Sequence, residues 1–161
     1  EGTELTFISS RGRWMRDTEV SEAIANMLSA IGLTIKVQPV EASIWRDYLY
    51  AVKPEQSHSQ MWNICTSNDL GDAGAFQRYI VTGGSTSLYS NPEVDKLVKE
   101  ALVATGKDRT TKFQDAWRVV YNDYAWVPLG YINQIHAVGK RINWKPRIDT
   151  QIKLDEMTST E

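Results

Sequence analysis

Residues Leu5 to Val40 read LTFISSRGRWMRDTEVSEAIANMLSAIGLTIKVQPV, and the hydrophobic period changes twice along them. Leu5-Thr6-Phe7-Ile8-Ser9 is a short apolar and β-branched run, as expected of a buried strand. Ser10-Arg11-Gly12-Arg13-Trp14-Met15-Arg16 reads as the loop that follows. Asp17 or Thr18 then caps a helix, with Glu side chains near its positive end. Val20, Ile24, Met27, Leu28 and Ile31 recur at three and four residues, which places them on one apolar face. Gly32 supplies the left-handed residue that ends such a helix, and Leu33 to Val40 alternates as a second strand. Strand, helix and strand with short connections make a parallel pair joined by a right-handed crossover.

The pattern continues outward from this unit. Ser43 caps a second helix carrying Ile44, Trp45, Tyr48, Leu49 and Val52, and Pro54 to Ser59 is a polar break. Met61-Trp62-Asn63-Ile64-Cys65 is a third short strand. The small, polar stretch Thr66 to Gly74 comes directly after it, where α/β folds place ligands. Ala75 to Val81 reads as a short helix ended by Gly83-Gly84. Asn91-Pro92-Glu93 opens a strong helix with Val94, Leu97, Val98, Ala101 and Leu102 on its buried face. Another follows Asp108 and buries Phe113, Trp117, Val120, Tyr121 and Tyr124. Val127 to Tyr131 and Gln134 to Val138 are extended, and the tail from Lys140 ends in a weak strand at Thr150 to Leu154. The expected architecture is α/β, a three-layer sandwich around a mixed β-sheet.

Composition narrows the function. The chain has 161 residues, 42% hydrophobic and 24% charged, which excludes wholesale disorder and fits one domain. Lys and Arg number 18 against 20 Asp and Glu, so the net charge is -2 and the basic excess of a nucleic-acid binder is missing. A single cysteine, Cys65, excludes an internal disulfide and a multi-cysteine zinc site. No run of eighteen apolar residues is present to make a membrane-spanning helix.

Groups able to do chemistry are sparse. His58 and His136 stand apart, with no carboxylate or thiol at metal-ligand spacing, so neither a metal nor a cofactor is expected. Asp69 and Asp72 share one loop. One reading has them capping the helix near Ala73, the other has one facing a cationic ligand group, and both hold if the two aspartates differ. A hydrolase built on Asp69, Asp72 and His136 would need two carboxylates tuned apart. Arg11, Arg13 and Arg16 lie where they either attract an anion at a helix start or sit on a solvated surface. Trp14 and Trp62 either wall a ligand or pack, whereas Trp45, Trp117 and Trp126 fall on core faces.

Four segments carry a resemblance. Gly12-Arg13-Trp14-Met15-Arg16-Asp17-Thr18-Glu19-Val20 through Ile31-Gly32-Leu33 resembles the start of the second lobe in family 5 extracytoplasmic solute-binding proteins, the dipeptide, oligopeptide and nickel receptors of ABC importers. Asp69 to Phe76 is similar to that family's aspartate-rich loop, although Ala73 stands where it has proline and Thr66 or Ser67 where an aromatic often precedes the loop. Tyr89-Ser90-Asn91-Pro92-Glu93-Val94-Asp95-Lys96-Leu97 matches its helix start closely, and Asp108-Arg109 through Tyr124-Ala125-Trp126-Val127-Pro128-Leu129 its helix-to-strand passage.

The resemblance implies one lobe of a type II periplasmic binding protein: residues 1–161 as a single α/β ligand-binding lobe excised from a larger receptor, with 140–161 returning towards a first lobe outside this sequence. It implies a periplasmic or membrane-anchored extracytoplasmic receptor rather than an enzyme. Its partners would be that first lobe, the membrane permease and a small, peptide-like solute, with no nucleic acid. Capture would be hinge closure, and the ligand face would be the strand-end loops, aimed through helix starts and backbone amides. Asp69 aligns with the aspartate that pairs with a peptide's amino terminus. Asn68 and Ser67 would hydrogen-bond the solute's backbone, with Trp14, Arg13 and Trp62 completing the set. The competing reading is the effector-binding sensory domain of a regulator.

Overall fold

Strand β1 (Glu4–Arg11) is central and buried on both faces: Phe7, Ile8, Ser9 and Ser10 are all enclosed. These features come from a computed structural model that describes residues 3–51, 60–66 and 71–160. Helix α1 (Asp17–Ser29) leads to β2 (Thr34–Glu41), helix α2 (Ala42–Ala51) follows without a break, and β3 (Gln60–Trp62) returns to the other side of β1. The strand order is β2-β1-β3, and both pairings are parallel, with Phe7 opposite Val37 and Met61. The chain steps from β1 to β2 and back across β1 to β3, with α1 and α2 as the intervening helices. The right-handed rule for such crossovers puts the two helices on opposite sides of the sheet, in keeping with a β1 that has no solvated side.

The described residues fall into two compact units, one within Glu1–Thr66 and Arg78–Pro92, the other within Ser67–Gln77 and Glu93–Glu161. The second contains α4 (Gly106–Asn122) and most of α3 (Pro92–Val103), with Pro92 at the first helical position as expected. Val94, Val98 and Ala101 of α3 and Phe113, Ala116 and Val120 of α4 are buried. The two helices are tied by Arg109, which donates to the Ala101 carbonyl at 2.8 Å, and by Lys112, which pairs with Glu100 at 2.8 Å. The Trp117 and Trp126 rings meet edge to face at 6.5 Å.

Several expectations are corrected. Helix α1 does not bury the stripe Val20, Met27 and Ile31, which stays exposed; Asp17, Ser21 and Ala25 face inward instead. Small residues let the helix lie close on the sheet, and hydrogen bonds rather than apolar area fasten it there. No side chain caps α1: its N-cap is Arg16, in a left-handed conformation. Helix α2 begins at Ala42 rather than after Ser43, and α4 begins at Gly106. Tyr121 and Tyr124 of the α4 region are exposed rather than buried. The segment before Ile80 is a 3-10 helix, Ala73–Tyr79. The final strand foreseen at Thr150 to Leu154 is absent among the described residues. There Leu154–Glu156 is a 3-10 turn, and β4 (Ile142–Asn143) pairs antiparallel with β5 (Thr158–Ser159). The parallel and antiparallel pairings therefore lie in two separate sheets. No helix among the described residues is long and apolar enough to cross a membrane.

Candidate functional site

Because β1 and β3 are parallel neighbours, with Ile8 opposite Trp62, the chain leaves both strands at one edge of the sheet. That carboxyl edge is where open α/β sheets hold ligands. It carries Gly12 to Arg16 after β1 and Asn63 to Thr66 after β3.

The first loop is shaped by one side chain. Oδ2 of Asp17 accepts the Ser10 hydroxyl at 2.7 Å and the amides of Arg13 at 3.0 Å and Trp14 at 3.2 Å. Oδ1 accepts the amides of Gly12 at 3.2 Å and Thr18 at 2.9 Å. Gly12 (φ 75°) and Arg16 (φ 55°) both adopt left-handed backbone, and this is what folds the loop back over the carboxylate. Burial pushes the Asp17 carboxyl up, but the Ser10 hydroxyl and the amides of Trp14, Gly12 and Arg13 outweigh it and hold the pKa below the usual aspartate value. The expectation that this loop offers its backbone amides to a ligand is corrected accordingly, since Asp17 already engages those of residues 12 to 14.

Side chains, not amides, face outward here. The Arg13 guanidinium lies 5.1 Å from the centroid of Trp14 and 5.3 Å from that of Trp45, and the two indoles meet edge to face at 5.0 Å. Trp45 is only 2% exposed and anchors the stack from α2, while Trp14 is half-buried. Arg11, Arg13 and Arg16 form no ion pair with any described residue.

Sequence reasoning passed over Asn63, the first residue after β3. Its side-chain amide donates to the Asp17 carbonyl at 3.3 Å and to the Ser21 hydroxyl at 2.9 Å, joining the start of the second loop to α1. Three buried polar atoms on residues of this edge, Trp62 Nε1, Asn63 Oδ1 and Thr18 Oγ1, have no hydrogen-bond partner among the described residues. Such atoms are rare in well-packed interiors and concentrate where function overrides packing. The sequence placed Asn63 inside the strand Met61 to Cys65, whereas β3 ends at Trp62, so no local signal set it apart.

Arg13, Trp14 and Trp62 thus belong to one sheet edge. Ser67, Asn68 and Asp69 lie outside the described residues, as does His58. Asp72, in the other unit, takes the capping role. It accepts the Gly74 amide at 2.6 Å and forms a two-oxygen pair with Arg109 at 2.8 and 3.0 Å. The Arg109 hydrogen bond first, and the Gly74 amide second, hold the Asp72 carboxyl below its ordinary value. Arg109 also lies 4.9 Å from the centroid of the Phe113 ring. His136 packs against Trp144 at 5.2 Å, in the segment Gln134 to Val138, which belongs to no strand. Among the described residues, no three His, Cys, Asp or Glu side chains group as metal ligands.

A parallel sheet with interleaved helices and two loops delivered to its carboxyl edge defines the class of fold, that of a lobe of the periplasmic-binding-protein type. Over 97% of its length the chain is 26% identical to the probable D,D-dipeptide-binding periplasmic protein DdpA of Escherichia coli, of which it spans 31%. Its fold matches OppA of Haemophilus influenzae in complex with RPPGFSPFR. There the TM-score is 0.78 at 20% identity, covering 99% of this chain and 31% of that one. A peptide-binding protein of a peptide ABC transporter matches with a TM-score of 0.65 at 20% identity, over 77% of this chain and 55% of that one. No family model matches the chain. The chain therefore spans about a third of the curated relative it resembles.

Proposed function

We propose that this chain is the solute-binding lobe of an extracytoplasmic ABC-importer receptor. In this reading residues 1–161 form one lobe, 140–161 lead back to the first lobe, and a peptide-like solute is held between the two by hinge closure before delivery to a membrane permease. The observation that carries the reading is the shared edge of β1 and β3, where the Arg13–Trp14 stack and the start of the second loop lie side by side. The similarity to DdpA, a periplasmic dipeptide-binding protein by name, favours this over an effector-binding domain of a regulator.

Within the reading the residues divide the work by charge. Asp69 pairs with the solute's ammonium, because a desolvated cation needs a carboxylate. Asn68 and Ser67 bond the solute's peptide groups. Arg13, Trp14 and Trp62 supply a flat, partly apolar wall beside it. The steps are binding and closure, without a covalent intermediate. Isothermal titration of the two-lobed receptor containing this chain, with D-alanyl-D-alanine and with RPPGFSPFR, tests it. At least one peptide should bind, and Asp69→Asn should weaken it by about tenfold or more, the worth of one charge-assisted hydrogen bond. Failure of both peptides, or indifference to Asp69→Asn, refutes the assignment.

A further inference from the structure

The hydrogen bonds around Asp17 describe a cradle. Three successive amides, Gly12, Arg13 and Trp14, converge with the Ser10 hydroxyl and the first-turn amide of Thr18 on one carboxylate. Consecutive loop amides with a left-handed residue among them form a concavity suited to anions, and the start of a 13-residue helix adds its dipole. Here the anion is covalently part of the chain.

A second set of bonds meets at the same residue. The Asp17 carbonyl accepts the Ser9 hydroxyl at 3.2 Å, the Ser21 hydroxyl at 2.9 Å and the Asn63 amide at 3.3 Å. The carboxylate therefore holds the loop after β1, and the carbonyl holds the start of the loop after β3. Both are the loops the proposed function assigns to the solute.

We infer that Asp17 is the positioning residue of the solute-binding edge, an internal carboxylate that fills the cradle of residues 10–14 and so presents Arg13 and Trp14. This rests on the proposed function for what the edge binds, but not for what Asp17 does. Two consequences follow. An anionic group of the solute is met by arginine side chains at this edge and not by the amides of α1. And the cradle, once emptied, accepts a carboxylate from solution.

The test uses the 161-residue chain and a readout independent of any solute. The Trp14–Trp45 pair should give an exciton couplet in the far-ultraviolet circular dichroism, where the strong indole transitions lie, identified as the part lost in Trp14→Phe. Asp17→Ala should lose that couplet while still unfolding cooperatively. Acetate, against chloride at equal ionic strength, should restore the couplet and raise the melting temperature of the variant, leaving the wild type unmoved. A couplet that survives Asp17→Ala, or one that acetate and formate both fail to restore, overturns the inference. If the alanine variant does not fold, Asp17→Asn of equal size takes its place; it should weaken the couplet at least by half, and an unchanged couplet overturns the inference equally. A solute arm separates the two claims: in the two-lobed receptor Asp17→Asn should weaken D-alanyl-D-alanine about tenfold. No binding of that dipeptide or of RPPGFSPFR by the wild type would sink the proposed function while leaving the spectroscopic result for Asp17 standing.

Discussion

Three aspartates show how little a residue type says before its neighbours are known. Asp17 organises a loop, Asp72 begins a 3-10 helix while gripping Arg109, and Asp149 is clamped by Arg147. Each carboxyl titrates low, one through a hydroxyl and loop amides and two through an arginine. For Asp17 burial opposes the shift and the Ser10 hydroxyl and loop amides overcome it. For Asp72 the Arg109 hydrogen bond leads. For Asp149 the Arg147 hydrogen bond leads and takes the pKa to about 2. A carboxyl that titrates lower when folded contributes stability above its unfolded value, near 3.8 for aspartate, and loses it as pH falls through the folded value. Thermal melts of the wild type and Asp17→Asn should therefore differ most at neutral pH and converge on acidification below that value. A constant gap across the range would mean that the charge of Asp17 is not what matters. Carboxyl-detected NMR titration should place the Asp149 midpoint near 2, and a midpoint at the ordinary 3.8 would mean that Arg147 does not hold it in solution.

At the scale of one element, α1 is the instructive case. Its apolar residues fall at helical spacing, yet Met27 is 71% and Ile31 75% exposed while Ala25 is 6%. Periodicity identified the helix but set its inward face too far round: Ile24 and Leu28 are half-buried, while Ser21 and Ala25 rather than Val20, Met27 and Ile31 are enclosed. Ala25→Leu should cost about 1–3 kcal/mol by overpacking, whereas Met27→Gln should stay within about 0.5 kcal/mol. Denaturant unfolding of the two variants decides between the faces, and the reverse ranking would restore the Met27 side as core. On α2, Trp45→Ala should cost about 3–5 kcal/mol, since the indole is enclosed and carries both Trp14 and Arg13. Gly84 belongs to this scale as well. A Cβ there would sit 2.5 Å from the Arg78 carbonyl oxygen, so only glycine closes that turn without moving backbone.

For the molecule as a whole, the proposed half-site has a thermodynamic consequence. One lobe leaves its solute wet on the far side, and affinity depends on enclosure far more than on a single wall of contacts. Titration of the isolated chain with D-alanyl-D-alanine or RPPGFSPFR should give weak or undetectable binding, and submicromolar affinity would contradict the need for a second lobe. The extended segment around Val127, Leu129, Tyr131 and Ile135 is exposed and pairs with no strand among the described residues. That explains why its apolar pattern reads so clearly in the sequence without belonging to a sheet here.

The sequence by itself determined the β1–α1–β2–α2–β3 order and the parallel β1–β2 pair. Hydrophobic period, Gly32 and the Asn91-Pro92 start are local signals that survive without a partner. It also singled out Arg13 and Trp14 by their place after the first strand, and Trp62 within the third. Only the tertiary structure decided which face of α1 is buried, that Asp17 engages the loop amides, that Asn63 joins the loop after β3 to α1, and that Asp72 belongs to Arg109. Those outcomes depend on hydrogen bonds between residues as far apart as 46 positions along the chain. Such a bond forms when two elements approach to within about 3 Å, and that approach is set by packing, on which the periodicity of a single segment carries no information.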